Sequence, residues 1–228
     1  MDRTAFRKHF KTVGPVVLPV IHVLDTPRTL RNVAEVIAAG AAGCFLINHD
    51  FEPERFLPII SDVRAAYPSL WLGVNFLAVT GKHAFPMLGK LSQTGVLVDG
   101  YWADDACIDE HGQNTEAQEI ARVYDESGWS GMYFGGTCFK KQREVAKEHY
   151  GNAAREACGF MDVVTTSGVA TGQEADLSKI ETFRSAIGET ALALAIWAGQ
   201  RLSVPVGVTG VDGEAEAVIE RLTAAGID

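Results

Sequence analysis

Six apolar runs recur along this chain, each meeting polar, chemically capable residues, with a helix-like stretch between each run and the next. The runs cover residues 16–23, carrying His22, residues 44–47, followed by Asn48-His49-Asp50, and residues 70–77, carrying Asn75. Residues 95–98 precede Asp99, residues 132–134 precede Gly135-Gly136-Thr137, and residues 162–164 precede Thr165-Thr166-Ser167. A spacing of about 25–35 residues is what a strand, a crossover helix and two loops require. Alternating strand and helix implies a parallel sheet with right-handed crossovers. In such sheets the carboxyl ends of the strands gather at one place, where active sites sit. The pattern predicts an α/β chain with an enzyme-like site at that rim.

At 228 residues the chain suits one α/β barrel or open sheet and is short for two separate cores. No linker or composition break divides it, so a single domain over residues 1–228 is expected. Residues 1–14 would be an N-terminal extension and residues 188–228 an atypical C-terminal part. The net charge of −9 argues against nucleic acid as a partner, while a small anion needs only a local positive pocket. Cys44, Cys107, Cys138 and Cys158 form no CxxC pair, which reads as buried thiols in a reducing cytosol. The first nine residues lack the apolar core of a signal peptide, and no apolar run reaches the roughly 20 residues of a membrane span. A cytoplasmic location without a membrane span is expected.

Helix signals fill the gaps. Thr26 is placed as an N-cap before Pro27, Thr80 opens a short third helix, and Asn114 caps the fourth, which Gly128 ends. Pro58 is tolerable only near the first turn of its helix. A helix over Leu177–Ala186 follows strand 6. Two segments then compete for strand 7. Residues 192–196 are rich in Ala and Leu, which favour helix, whereas residues 204–209 are β-branched and lead into a helix over 214–224. The sheet is thus predicted to be incomplete or altered at strands 7 and 8. Residues 191–198, apolar and uncharged, are read as free to cover the resulting gap, with a homodimer through them as one outcome.

Several residues can carry chemistry. His22 and the Asn48-His49-Asp50 segment would offer an imidazole and a carboxylate on neighbouring strands, as an acid–base pair or as part of a divalent-metal site. Asn75 in an apolar strand needs hydrogen-bond partners. Asp99, read as the end of strand 4, serves either as a general base or as a turn former. The acidic residues Asp104-Asp105 and Asp109-Glu110 read as a solvated loop. Gly136 and Thr137 with Lys140, Lys141 and Arg143 form a local positive cluster suited to phosphate or carboxylate, and Thr166 and Ser167 open a hydroxyl-rich tail. Val169-Ala170-Thr171-Gly172 lacks the acidic pair of a phosphoribosyltransferase loop, and no GxGxxG or P-loop pattern follows a strand.

With these residues in view, the chain resembles the BtpA family of TIM-barrel proteins, among the phosphate-binding barrels, over roughly residues 15–187. The resemblance lies in Val20-Ile21-His22, Asn48-His49-Asp50-Phe51, Gly73-Val74-Asn75, and Asp162 through Gly172 with Asp176. It implies a TIM (β/α)8-type barrel with an unassigned enzymatic role; one branch of the family assists photosystem I biogenesis. The family's strand 7 ends on a Ser-Gly-Val-Thr turn that helps bind an anion, of which Gly207-Val208-Thr209 remains here. The resulting expectation is an enzyme acting on a small phosphorylated or nucleoside-like metabolite. His22, Asp50 and Asp99 would be catalytic, and Asn48, Asn75, Gly136, Thr137, Lys140, Thr166 and Ser167 would bind substrate. No cofactor is assigned, a divalent metal remaining open. Phosphoribosyl transfer or nucleosidase chemistry is one alternative, and a non-catalytic assembly factor that retains the barrel is another.

Overall fold

The computed structural model of the protein describes residues 1–49, 51–170 and 175–195. Helix α1 (Arg3–Phe10) opens the chain. Strands and helices then alternate as β1 (Val20–Val23), α2 (Thr26–Ala38), β2 (Gly43–Asn48), α3 (Pro53–Ala66), β3 (Trp71–Phe76) and α4 (Gly81–Gln93). They continue as β4 (Gly100–Ala103), α5 (Thr115–Ser127), β5 (Met132–Gly136), α6 (Tyr150–Ala157), β6 (Val163–Ser167), α7 (Leu177–Ala186) and β7 (Ala191–Ala195). The strands pair in parallel and in sequence order from β1 to β7, and the sheet curls into a half-barrel.

Register decides which side chains face inward. Residues paired across a parallel ladder share a face, and successive residues alternate. Phe45 pairs with Gly73, Gly100 with Met132, Trp102 with Phe134, Phe134 with Val163, and Val163 with Ala191. These residues belong to one face, and Phe45, Trp71, Met132, Phe134, Val163 and Ala191 form a compact apolar cluster there. Leu46, Leu72, Val74, Tyr101, Tyr133, Val164 and Leu192 belong to the other face and pack with the helices in a larger core.

Trp71, Met132, Val163 and Ala191 are the first residues of their strands. The interior is therefore apolar at its amino end. Helix α1 packs against this end, with the Phe10 ring 5.2 Å from Trp71 and the Phe6 ring 6.2 Å from Phe134. Its N-cap Asp2 accepts the Ala5 N–H at 2.7 Å, and the Ala191 N–H donates to the Met1 carbonyl at 3.0 Å. Further along the same face come His22, Asn75, Thr165 and Ser167, a polar carboxyl half.

The structure corrects some sequence expectations and decides between others. The fourth strand is not residues 95–98 but Gly100–Ala103, because the inward position at its start must accept the Trp71 indole. A Cβ on Gly100 would lie 2.6 Å from that ring. The seventh strand is the Ala- and Leu-rich segment, pairing with β6 from Val163↔Ala191 to Ser167↔Ala195, so tertiary pairing overrides helix propensity. Residues 191–195 accordingly do not serve as a loose cover. Pro58 sits well inside α3 rather than in its first turn. Caps differ in detail: Asp25, not Thr26, caps α2 by accepting the Arg28 N–H at 2.7 Å. Asn114 stands at the N-cap of α5 but spends its side chain elsewhere, accepting from Asp109 N–H and donating to Glu156. Residues 204–209 and 214–224 lie outside the described residues. No helix among the described residues is long and apolar enough to cross a membrane.

Phe45 is 1% exposed, and its ring lies 5.2–5.5 Å from those of Trp71, Trp102 and Phe134. Truncating a buried phenylalanine costs about 3–5 kcal/mol. Phe45→Ala should lower the urea midpoint by the equivalent of that loss with an unchanged slope, measured by circular dichroism.

Candidate active site

The polar half of the inner face converges at the carboxyl ends of β1 to β6. Asn75, the fifth residue of β3, points inward and is buried. Its Nδ2 donates to Asp104 Oδ1 at 2.9 Å. Asp104 follows directly on β4, two residues beyond inward-facing Trp102, and is half-buried. Burial pushes its carboxyl above the ordinary carboxylate value, opposed by the Asn75 amide and by the charges of Lys140, His49 and Lys141. A carboxyl that holds its proton more tightly than an ordinary carboxylate, while accepting from a fixed hydrogen-bond donor, can act as a general acid or base.

The remaining groups surround this pair. His49 follows β2, and its ring stacks on that of His22 with centroids 4.4 Å apart and planes 15° from parallel. Both histidines are exposed to solvent. Lys140 is anchored through its backbone, its N–H donating to Ser167 Oγ at 2.8 Å, while Ser167 Oγ donates to the Gly168 carbonyl at 2.8 Å. Asn75 Oδ1 and Thr165 Oγ1, both on inward-facing residues, are buried and have no hydrogen-bond partner among the described residues.

Behind this layer Lys179, on α7, is 6% exposed and donates to the carbonyls of Cys138 at 2.6 Å and Ser167 at 2.9 Å. Its ammonium also lies 5.1 Å from the Tyr150 ring centre. Burial lowers its pKa, and no carboxylate pairs with it among the described residues. Lys179 thus ties the loop after β5 to the end of β6.

The structure sorts the sequence-derived candidates. His22, Asn75 and Ser167 lie on the inner face, and Lys140 stands at the rim beside Asp104. Thr166 lies on the outer face, against the helices, because it neighbours inward-facing Thr165 and Ser167. Asn48 is likewise outward and structural, its Nδ2 donating to Phe51 O at 2.6 Å and its Oδ1 accepting the Leu77 N–H at 3.2 Å. Gly136 is an inward strand residue, but the space it leaves is filled by protein, since a Cβ there would lie 1.9 Å from the Asp104 carbonyl oxygen. Thr137 continues the ladder with its N–H on Thr165 O at 2.9 Å, and its hydroxyl is buried without a partner among the described residues. Asp50 lies outside the described residues.

Asp99 is the clearest correction. It precedes β4, so it stands at the amino end, opposite the rim where the sequence pattern puts it. There its Oδ2 accepts Arg64 Nη2 at 2.5 Å and the Leu72 N–H at 2.8 Å, a fixed structural bridge. Arg64 holds the same edge through the carbonyls of Leu97 and Leu70, each at 2.7 Å. The residue that sequence reasoning misses is Asp104, which reads as a solvated loop because the apolar run over 95–98 puts strand 4 five residues too early. Arg143 also leaves the positive cluster: it forms a two-point pair with buried Glu110, holding that carboxyl down to about 2. Among the described residues no three His, Cys, Asp or Glu side chains gather as a metal-ligand set.

No protein-family model matches the chain, and no curated protein matches it. Solved structures do. A protein from Aquifex aeolicus VF5 is 13% identical, with 96% of this chain and 93% of its own covered at a TM-score of 0.59. A dipeptide epimerase from Enterococcus faecalis V583 is 13% identical, covering 92% of this chain and 56% of the epimerase at 0.55. A racemase from Streptomyces coelicolor A3(2) is 15% identical, covering 83% and 50% at 0.53. The chain thus spans about half the length of these two enzymes. It has a TIM-barrel-type fold.

In the folded chain Asp104 holds its proton more tightly than in the unfolded chain, where the carboxyl titrates near 3.8. Its contribution to stability is complete below that value and is lost as pH rises through the higher folded value. Asp104→Asn keeps an acceptor for Asn75 and removes the titration. Urea midpoints followed from below pH 3.8 to neutrality should therefore fall less in the variant than in the wild type. An equal or steeper fall in the variant would contradict this placement.

Proposed function

We propose that this chain is a TIM-barrel enzyme that moves a proton on a small anionic metabolite, with Asp104 as the acid–base group. The observation that supports it is the Asn75–Asp104 hydrogen bond at the carboxyl rim, ringed by Lys140, Lys141 and His49. Burial suits the carboxyl to carry a proton, and the neighbouring positive charges suit an anionic substrate. Asn75 Oδ1 and Thr165 Oγ1 would accept hydroxyl or amine protons of that substrate. His22, stacked on His49, would complete the proton-handling groups. A phosphorylated metabolite is the substrate class we favour, in keeping with the resemblance to the BtpA family, membership of which is part of this proposal. A cytoplasmic enzyme is the setting we infer. The epimerase and racemase of similar fold carry those activities in their own names; here they lend weight only to proton transfer as a reaction type.

The reading is tested by two variants with different losses. Lys140→Ala should weaken binding of phosphorylated sugars by about tenfold or more, since a charge-assisted contact contributes about 1.5–3 kcal/mol. Asp104→Asn should bind the same sugars and fail to turn them over. Calorimetric titration of a panel of sugar phosphates reads the first effect, and solvent deuterium incorporation into the bound sugar reads the second. Unchanged affinity in Lys140→Ala would end the anion role of this rim.

A further inference from the structure

A second concentration of positive charge lies at the opposite end of the sheet. Arg3 and Arg7 are one turn apart on α1 and so share a face of that helix. Backbone bonds fix this helix beside the turn that enters β7: the Arg3 N–H donates to the Glu189 carbonyl at 2.9 Å, and Asp2 forms an antiparallel bridge with Thr190. Arg184, in the last turn of α7, completes the group; burial first, and then the charges of Arg3 and Arg7, act against its ionisation, while Glu189 favours it. All three side chains are half-buried.

Their partners are too few for their charge. Arg3 Nη2 meets Glu189 Oε1 at 2.9 Å. Arg7 and Arg184 have no carboxylate partner among the described residues, and the Nη1 atoms of Arg3 and Arg184 are buried without any hydrogen-bond partner there. Three guanidinium groups against one carboxylate leave an excess of two positive charges in a chain whose net charge is −9. Unpaired buried charge is costly, so such a group is stabilised by an anion that matches it. Guanidinium forks bind phosphoryl oxygens two at a time. Glu189, held at its tip alone and 79% exposed, can leave without disturbing the core.

We infer that α1, the last turn of α7 and the turn into β7 form a second anion site, in which Arg3, Arg7 and Arg184 take the phosphoryl group of a small phosphorylated metabolite and Glu189 stands in its place until it arrives. The excess of two charges matches a phosphate dianion. The buried nitrogens favour a small ligand over a nucleic acid, which the acidic surface would in any case repel. The site is separated from the catalytic rim by the length of the strands and is closed on its inner side by Phe6 and Phe10.

Inorganic phosphate is the probe, titrated into the full chain against a chloride control of matched ionic strength, because screening alone also relieves repulsion. Phosphate should raise the melting temperature beyond the chloride control, since a ligand bound to the native state stabilises it. Arg7→Gln and Arg184→Gln should each weaken that binding by about tenfold or more. Neither should lower the stability of the phosphate-free protein, because each removes a repelling charge; a residue of purely structural value would lower it. Glu189→Gln should tighten phosphate binding, and the part of the phosphate effect that depends on Arg7 and Arg184 should persist in Lys140→Ala, which weakens only the rim. No phosphate effect beyond chloride would overturn the inference. So would loss of the effect in Lys140→Ala with retention in both arginine variants, which would place the phosphate at the rim instead.

Discussion

The structure depends on one constraint: in a parallel sheet covered on both faces, each strand must satisfy two interiors with alternating residues. The outer face takes aliphatic and aromatic side chains that pack against α2 to α7. The inner face is divided along its length, apolar where Phe45, Trp71, Phe134 and Val163 meet α1, and polar toward the other end. A polar residue on the inner face near a carboxyl end faces the rim. The same residue one position away is locked among helices. Thr165 and Thr166 are adjacent in the chain and lie on opposite faces for this reason alone.

This alternation also explains how much of the site was legible in the sequence. Strands 1, 2, 3, 5 and 6 announce themselves as apolar runs, and His22, Asn75 and Ser167 fall on the inner face. Strand 4 hides because its inward positions are Gly100 and Trp102, chosen to fit the Trp71 indole and the Phe134 ring rather than to make an apolar run. The more apolar residues 96–98 precede it, so Asp99 looked like a rim residue and Asp104 like a loop. Strand 7 hides for a different reason: Ala191, Leu192 and Ala193 carry weak strand propensity, and their conformation comes from pairing with β6. Sequence patterns report local preference. Register is a property of the assembled sheet.

Electrostatics follows from the same geometry. Asp99 and Asp104 are five residues apart and sit in opposite surroundings. The first is bound by Arg64 and a backbone N–H at the amino edge. The second is half-buried at the carboxyl rim, with one amide donor and positive charge near but not in contact. Lys179 and Ser167 fix the loop that carries Lys140, so the rim cation is held by backbone bonds rather than by an ion pair. A half-buried carboxyl and an unpaired cation on one rim are the preorganised elements that the proposed proton transfer on an anion would use.

The central claim is that Asp104 is the proton-holding carboxyl of the carboxyl rim. Side-chain carboxyl 13C shifts of Asp104, followed against pH in the native protein, test it most directly. The account predicts a midpoint above the ordinary 3.8, moved further upward by Lys140→Ala, because that lysine is one of the charges that lower it. A midpoint at or below 3.8, or no upward movement in Lys140→Ala, would contradict it.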